Sequence, residues 1–177
     1  MKKIIPLLIL LFVYFSLTCN IYAKGMGIKC GYVNMMDDYN NDGYNNTWSV
    51  GAFFDMGTFI FNSLKFRPGL DYICMKDDGN VPEFDIWGIH LDWYWFFLDS
   101  SGSLDPFLGF STALNYYNYE DSSTEEDSDA GIEGFAGIDY NLSGPLSLTF
   151  EFRFLIHDIA DRNAAILKGS IGALYSF

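Results

Sequence analysis

Between Leu146 and Ile156 the chain reads "LSLTFEFRFLI", with an apolar residue at every second position and Ser147, Thr149, Glu151 and Arg153 in the gaps. Side chains of a β-strand point alternately to two faces, so as a strand this stretch has one greasy side and one polar side. Wound as a helix, it would spread both sets around the axis. The ending "KGSIGALYSF" follows the same rule: Ile171, Ala173, Tyr175 and Phe177 share one face, and Lys168, Ser170 and Ser176 share the other. Period-two segments bounded by turn residues recur along the chain and predict strands at about 26–36, 47–57, 64–75, 84–97, 105–118, 130–142, 146–157 and 165–177. The count is eight, an even number.

Alternation alone does not choose between a soluble sandwich with its greasy face inward and a membrane barrel with that face outward. Three further features choose. The connections alternate in character: 37–46, 76–83, 119–129 and 158–164 are polar and mostly long, whereas those near 58–63, 98–104 and 143–145 are shorter or less charged. That is the asymmetry of long outer loops and short periplasmic turns. Aromatic residues gather near strand ends, in "WYWFF" (93–97) at one rim and Tyr116-Tyr117 at the other, as paired interfacial girdles require. The third feature is the alternating strand that ends on Phe177. The stretch Gly57 to Phe61 is apolar and long for a periplasmic turn, so the second strand is expected to run further than residue 57.

Together with "FRPGLDY" (66–72), "DPFLGFSTALNYY" (105–117) and "GIDYNLSGPLSLTFEFRF" (137–154), this pattern resembles the small outer-membrane β-barrels of the OmpA and OmpX type. The resemblance implies an all-β fold, a closed antiparallel eight-stranded up-and-down transmembrane β-barrel formed by residues 24–177. It also implies that Phe177, Tyr175 and Ile171 form an assembly signal read by the barrel-assembly machinery. It covers the whole mature chain, and it specifies architecture rather than function, because such barrels host anchors, adhesins, conduits and lipid enzymes. A soluble exported barrel of lipocalin shape is the alternative fold, in which the Trp and Phe rows would point inward.

The first residues carry Lys2 and Lys3, an apolar run from Ile4 to about Leu17, and then Ile21-Tyr22-Ala23. This order predicts a secretory signal peptide, residues 1–23, cleaved after Ala23. A lipoprotein site at Cys19 is the alternative, but Leu17 and Thr18 are larger than such a site prefers. Without Lys2 and Lys3, eight basic residues face 23 acidic ones, a net charge of about −15 that argues against nucleic acid as a partner. Cys30 and Cys74 fall on strands that are next-but-one neighbours, about 10 Å apart, and are expected to be free, semi-buried thiols.

An eight-stranded barrel is just wide enough to be filled by its own side chains. The polar phase places Lys29, Asp55, Lys65, Arg67, Asp71, Asp92, Glu133, Asp139, Glu151, Arg153 and Lys168 inside, six acids against five bases. A near-neutral buried set is expected to pair into a salt-bridged plug that fixes register, with Arg153 at its centre between Glu151 and Glu133. The competing reading is a narrow polar path for ions. His90 is expected as inward polar filler and His157 as a rim residue. Neither has a serine at a spacing that would build a hydrolase, so no catalytic residue and no cofactor is expected.

Fourteen of the 23 acids fall in the four polar connections. Within the first, Asp38, Asn40 and Asp42 match the start of a calcium loop with Gly43 at the turn, but Ser49 stands where a bidentate Glu belongs and strands flank the loop. A hairpin tip turning at Asp42-Gly43 accounts for the same residues. The third connection, "EDSSTEEDSD", reads as a solvated like-charge run. The expected role is a non-enzymatic, monomeric outer-membrane protein with a structural or surface-interaction function. Its expected partners are membrane lipid and lipopolysaccharide, with weak divalent-cation association at the acidic loops. The alternative is a porin-like conduit or binding barrel for small or hydrophobic solutes.

Overall fold

The computed structural model describes residues 24–37, 44–59, 61–75, 84–97, 103–119, 127–157 and 164–177. The expected signal peptide, the calcium-loop candidates Asp38, Asn40 and Asp42, and most of the acidic loop residues lie outside them. The strands are β1 (Gly25–Asp37), β2 (Thr47–Asp55), β3 (Thr58–Phe59), β4 (Phe61–Met75), β5 (Phe84–Phe96), β6 (Leu104–Tyr119), β7 (Asp127–Asn141), β8 (Leu146–His157) and β9 (Ala164–Ser176). Each pairs antiparallel with its sequence neighbour, apart from the β2–β3 break. β1 closes the sheet on β9, and β2 pairs with β4. The result is a closed eight-stranded up-and-down barrel in which β2 and β3 are two pieces of one strand.

The second strand runs past residue 57, as expected, and reaches Phe59 through a break at Met56–Gly57. Met56 and Gly57 together oppose the single residue Phe66: Met56 N donates to Phe66 O and Phe66 N donates to Gly57 O, at 3.0 and 3.1 Å. This is a β-bulge. Gly57 has φ of 76°, a conformation open to glycine at little steric cost, and its N–H is taken by Asp55 Oδ1 at 2.7 Å. Strand pairing then resumes at Thr58↔Lys65, so β4 begins at Phe61, three residues before the expected 64. Above the bulge the β2–β4 ladder runs only from Ser49↔Ile73 to Phe53↔Gly69. Pro68, next in line, has no N–H to extend it.

The faces are inverted relative to a soluble barrel. Adjacent residues on β8 make the point: Phe152 is 70% exposed and Arg153 is 0% exposed. Trp87, Ile89 and Trp95 on β5, Leu108 and Phe110 on β6, and Ile138 and Tyr140 on β7 also lie on the outside, while Arg67, Asp71, Asp92, Glu133, Asp139 and Lys168 are buried. In water, this arrangement would expose the apolar surface and desolvate the charges, both unfavourable. The lipocalin-shaped alternative is thereby overturned.

The lumen is layered. At the end carrying the long loops, Val33, Met35, Ile73, Met75, Phe84, Ile86, Tyr117, Leu155 and Ile166 form one buried apolar cluster, with Tyr44 packed against it. At the end carrying the short turns, Tyr94, Phe96, Phe107 and Phe135 form a second. The expected girdle residues therefore divide by parity: Trp95, Phe97 and Tyr116 face outward, whereas Tyr94, Phe96 and Tyr117 are buried inside. Cys30 and Cys74 are not joined by a disulfide; Cys74 is half-buried, but Cys30 is exposed rather than semi-buried, because it shares the outward phase of Ile28 and Tyr32. β2 separates their strands.

Candidate functional site

Six strands place their polar-phase residues close together, and the result is a charged belt across the lumen. Arg153 of β8 stands at its centre. Its Nε donates to Glu151 Oε1 at 2.9 Å, and its two terminal nitrogens reach Asp92 Oδ1 and Oδ2 at 3.1 and 2.7 Å. Its Nη1 also donates to Glu133 Oε2. One guanidinium thus holds carboxylates from β5, β7 and β8, a task suited to its planar set of five donors. The guanidinium also lies 4.3 Å from the centroid of the Phe135 ring.

Asp71 of β4 is the second node. Lys168 Nζ from β9 donates to its Oδ2, and Lys29 Nζ from β1 stands 3.6 Å from its Oδ1. Lys29 also reaches to 4.0 Å from Asp92, joining the two nodes. Asp71 fits beside β2 because its register partner is Gly51: a Cβ there would lie 1.9 Å from Asp71 Oδ1. His90 completes the belt, with Nδ1 3.0 Å from Glu133 Oε1 and Nε2 3.8 Å from Asp71 Oδ2. It bridges the two nodes, a larger part than the polar filler expected of it.

Closer to the turns a smaller network surrounds Arg67. Its Nη2 donates to Asp139 Oδ2 at 2.7 Å and its Nε to Asp55 Oδ2 at 3.1 Å, while Thr149 Oγ1 donates to Asp139 Oδ1 at 2.7 Å. The Arg67–Asp55 pair spans the seam that Pro68 and the bulge leave without ladder bonds. Tyr94 links the two networks: its hydroxyl donates to Glu151 Oε2 at 2.8 Å, and the Arg67 guanidinium lies 4.7 Å from its ring centroid. Lys65 stands apart, half-buried with its ammonium 4.4 Å from the Phe96 ring centroid.

Ten of the eleven residues expected in the lumen network are thus joined by ion pairs, with Lys65 at the edge. Sequence reasoning missed Tyr94, read as part of an aromatic rim, although it has the parity of His90 and Asp92. It also missed the Asn115, Tyr117 and Asp129 group. Asp129, expected in a loop, is on β7 and accepts hydrogen bonds from Tyr117 at 2.6 Å and Asn115 at 3.1 Å. Donor atoms of His90, Asp92 and Glu133 lie within 4.8 Å of one another, a spacing compatible with a metal ion. However, Arg153 already binds both oxygens of Asp92 and one of Glu133, so the carboxylates serve an ion-pair network. His157 is the last residue of β8, at the rim where it is expected.

Neither a protein-family model nor a curated protein sequence matches the chain. Solved structures do. Neisserial surface protein A superposes with a TM-score of 0.66 at 17% identity, covering 86% of this chain and 96% of that one. Ail, the attachment invasion locus protein of Yersinia pestis, solved with the heparin analogue sucrose octasulfate, gives 0.57 at 10% identity over 86% and 97% of the two chains. The outer membrane enzyme PagL gives 0.57 at 10% identity over 85% and 99%. The fold of this chain is that of the small eight-stranded outer-membrane barrels. The three neighbours include a surface protein, an attachment protein and an enzyme, so the shared fold does not choose a role.

Proposed function

We propose that this chain is an integral protein of a bacterial outer membrane, monomeric and non-enzymatic, with a structural or surface-interaction role and a lumen closed by its own side chains. The observation that carries this reading is the inverted barrel: an apolar exterior bounded by aromatic residues, around an interior filled by paired charges and capped by apolar clusters. Along β5, Trp87 and Trp95 are eight residues apart, roughly 26 Å of strand. Tilted as barrel strands are, that spacing approaches the apolar band of about 25 Å such proteins present to lipid. Arg153, Asp92 and Lys168 then act as cross-braces that hold strand register, because a slip of one residue would send each of them into hydrocarbon.

The acidic loops would be the exterior face. Their charge argues against a sulfated polyanion, the class of ligand seen with Ail, and favours divalent cations bridging them to lipid phosphates. The loop-cation idea is dropped if adding calcium changes neither thermal stability nor the mobility of spin labels placed in residues 120–126.

The main test is fractionation followed by gel electrophoresis of the detergent-extracted protein, heated and unheated. Recovery in the outer membrane with faster migration before heating is the expected result; recovery in the soluble periplasm with no heat-dependent shift would refute the reading. Single-channel recording in planar bilayers then separates it from the conduit alternative. A closed lumen predicts no steady conductance, and reproducible unitary steps would favour the conduit.

A further inference from the structure

The outside of the barrel is not uniformly rough. β7 presents small residues to the exterior at Ala130, Gly134 and Ala136, between the bulkier rows of β6 and β8. At Gly134 this leaves a groove of about 320 Å³, walled by Phe110 on one side, Phe154 and Ile156 on the other, and Ile132 at its loop-side end. Gly134 pairs across the sheet with Phe110 and Phe154, so the missing side chain is what opens the space. Phe110 stacks on Trp93 at 6.4 Å, which holds that wall in place. The lining of the groove spans two register rows, Phe110–Gly134–Phe154 and Thr112–Ile132–Ile156, so the groove crosses β6, β7 and β8, in the half of the barrel nearer the long loops.

We infer that the Gly134 groove is a binding site for one acyl chain of a lipid in the loop-side leaflet, held longer than the surrounding lipid. The inference rests on the outer-membrane reading above and adds a specific site to it. The groove is continuous with the apolar exterior that would face the bilayer, which makes hydrocarbon its natural occupant. An apolar cavity of about 150 Å³ can bind a benzene molecule. This one is about twice that size, enough for a sizeable length of chain.

The test is electron paramagnetic resonance of the full-length barrel in phosphatidylglycerol and phosphatidylethanolamine vesicles containing a phospholipid spin-labelled on its acyl chain. Gly134→Phe fills the groove without a clash at its base, since a Cβ at 134 meets nothing within 4 Å. Leu70→Phe, at an exposed position on β4, serves as the control. The expected result is that Gly134→Phe lowers the number of motionally restricted lipids by one per barrel, while Leu70→Phe leaves it unchanged. An unchanged number in Gly134→Phe overturns the site. If a lipid is displaced equally by wild-type barrel added in excess, a second copy is the occupant and the acyl-chain inference also fails. Flotation of the vesicles is scored alongside: wild-type barrel that does not float with lipid refutes the membrane reading itself, an outcome distinct from loss of the site.

Discussion

Replacing Arg153 with Met is expected to destabilise the barrel by about 3–5 kcal/mol, the cost of removing one partner from a buried charge network. Arg153 is 0% exposed and bonds Asp92, Glu133 and Glu151. Methionine fills much of its volume but leaves those three carboxylates facing one another without a central cation. Unfolding in urea, followed by tryptophan fluorescence of the vesicle-inserted barrel, should show the shift. Adding Glu133→Gln to Arg153→Met should recover part of the loss, because it removes one of the stranded charges. Arg153→Lys should fall between wild type and Met, since an ammonium keeps the charge but lacks the planar fork. A loss for Arg153→Met below about 1 kcal/mol, the range of exposed ion pairs, would show that water or neighbouring lysines take over and that the belt does not brace the fold. Conductance should remain absent in all three variants, because the apolar cluster of Met35, Ile73, Met75 and Ile166 at the loop end is untouched.

The second large effect is expected on the opposite face. Phe152→Arg places a charge at the middle of β8, on a side chain that is 70% exposed. On a soluble protein, such a surface substitution would usually change stability by no more than about 0.5 kcal/mol. At the midplane of a bilayer it should cost about 2–4 kcal/mol. The same substitution at Trp48, which lies near the loop end of β2, should cost about 0–1 kcal/mol for the added charge because the arginine can reach the interface. Reversible unfolding from vesicles measures both. Equal, small effects at positions 152 and 48 would refute a bilayer around the barrel.

These two substitutions probe adjacent residues of one strand, and their opposite environments were legible from the sequence. In "TFEFRFL" the alternation of Phe with Glu and Arg places each on a definite face, and the connection lengths select which face meets lipid. The parity of His90, Asp92 and Tyr94 was equally visible. Its consequence for Tyr94 was masked by the aromatic run around it, where Trp93 and Trp95 belong to the exterior and Tyr94 and Phe96 to the lumen. The apolar cluster at the loop end was harder to see. Met35, Ile73, Met75 and Ile86 are inward yet apolar, so near the strand ends the two faces have similar chemistry and alternation loses contrast.

The sequence by itself determined the all-β class, the eight strands and most of the charged residues that face inward, because a period of two is a local property imposed by strand geometry. It did not determine which charges meet. Asp71 bonds Lys168 across 97 positions of chain, and Arg67 bonds Asp139 across 72, distances over which local pattern carries no information. Those partnerships follow from barrel closure of β1 on β9 and from the bulge at Met56–Gly57, which sets how β2 and β3 meet β4. The groove over Gly134 arises in the same way: a glycine among apolar residues becomes a cavity only when the register brings Phe110 and Phe154 to its two sides.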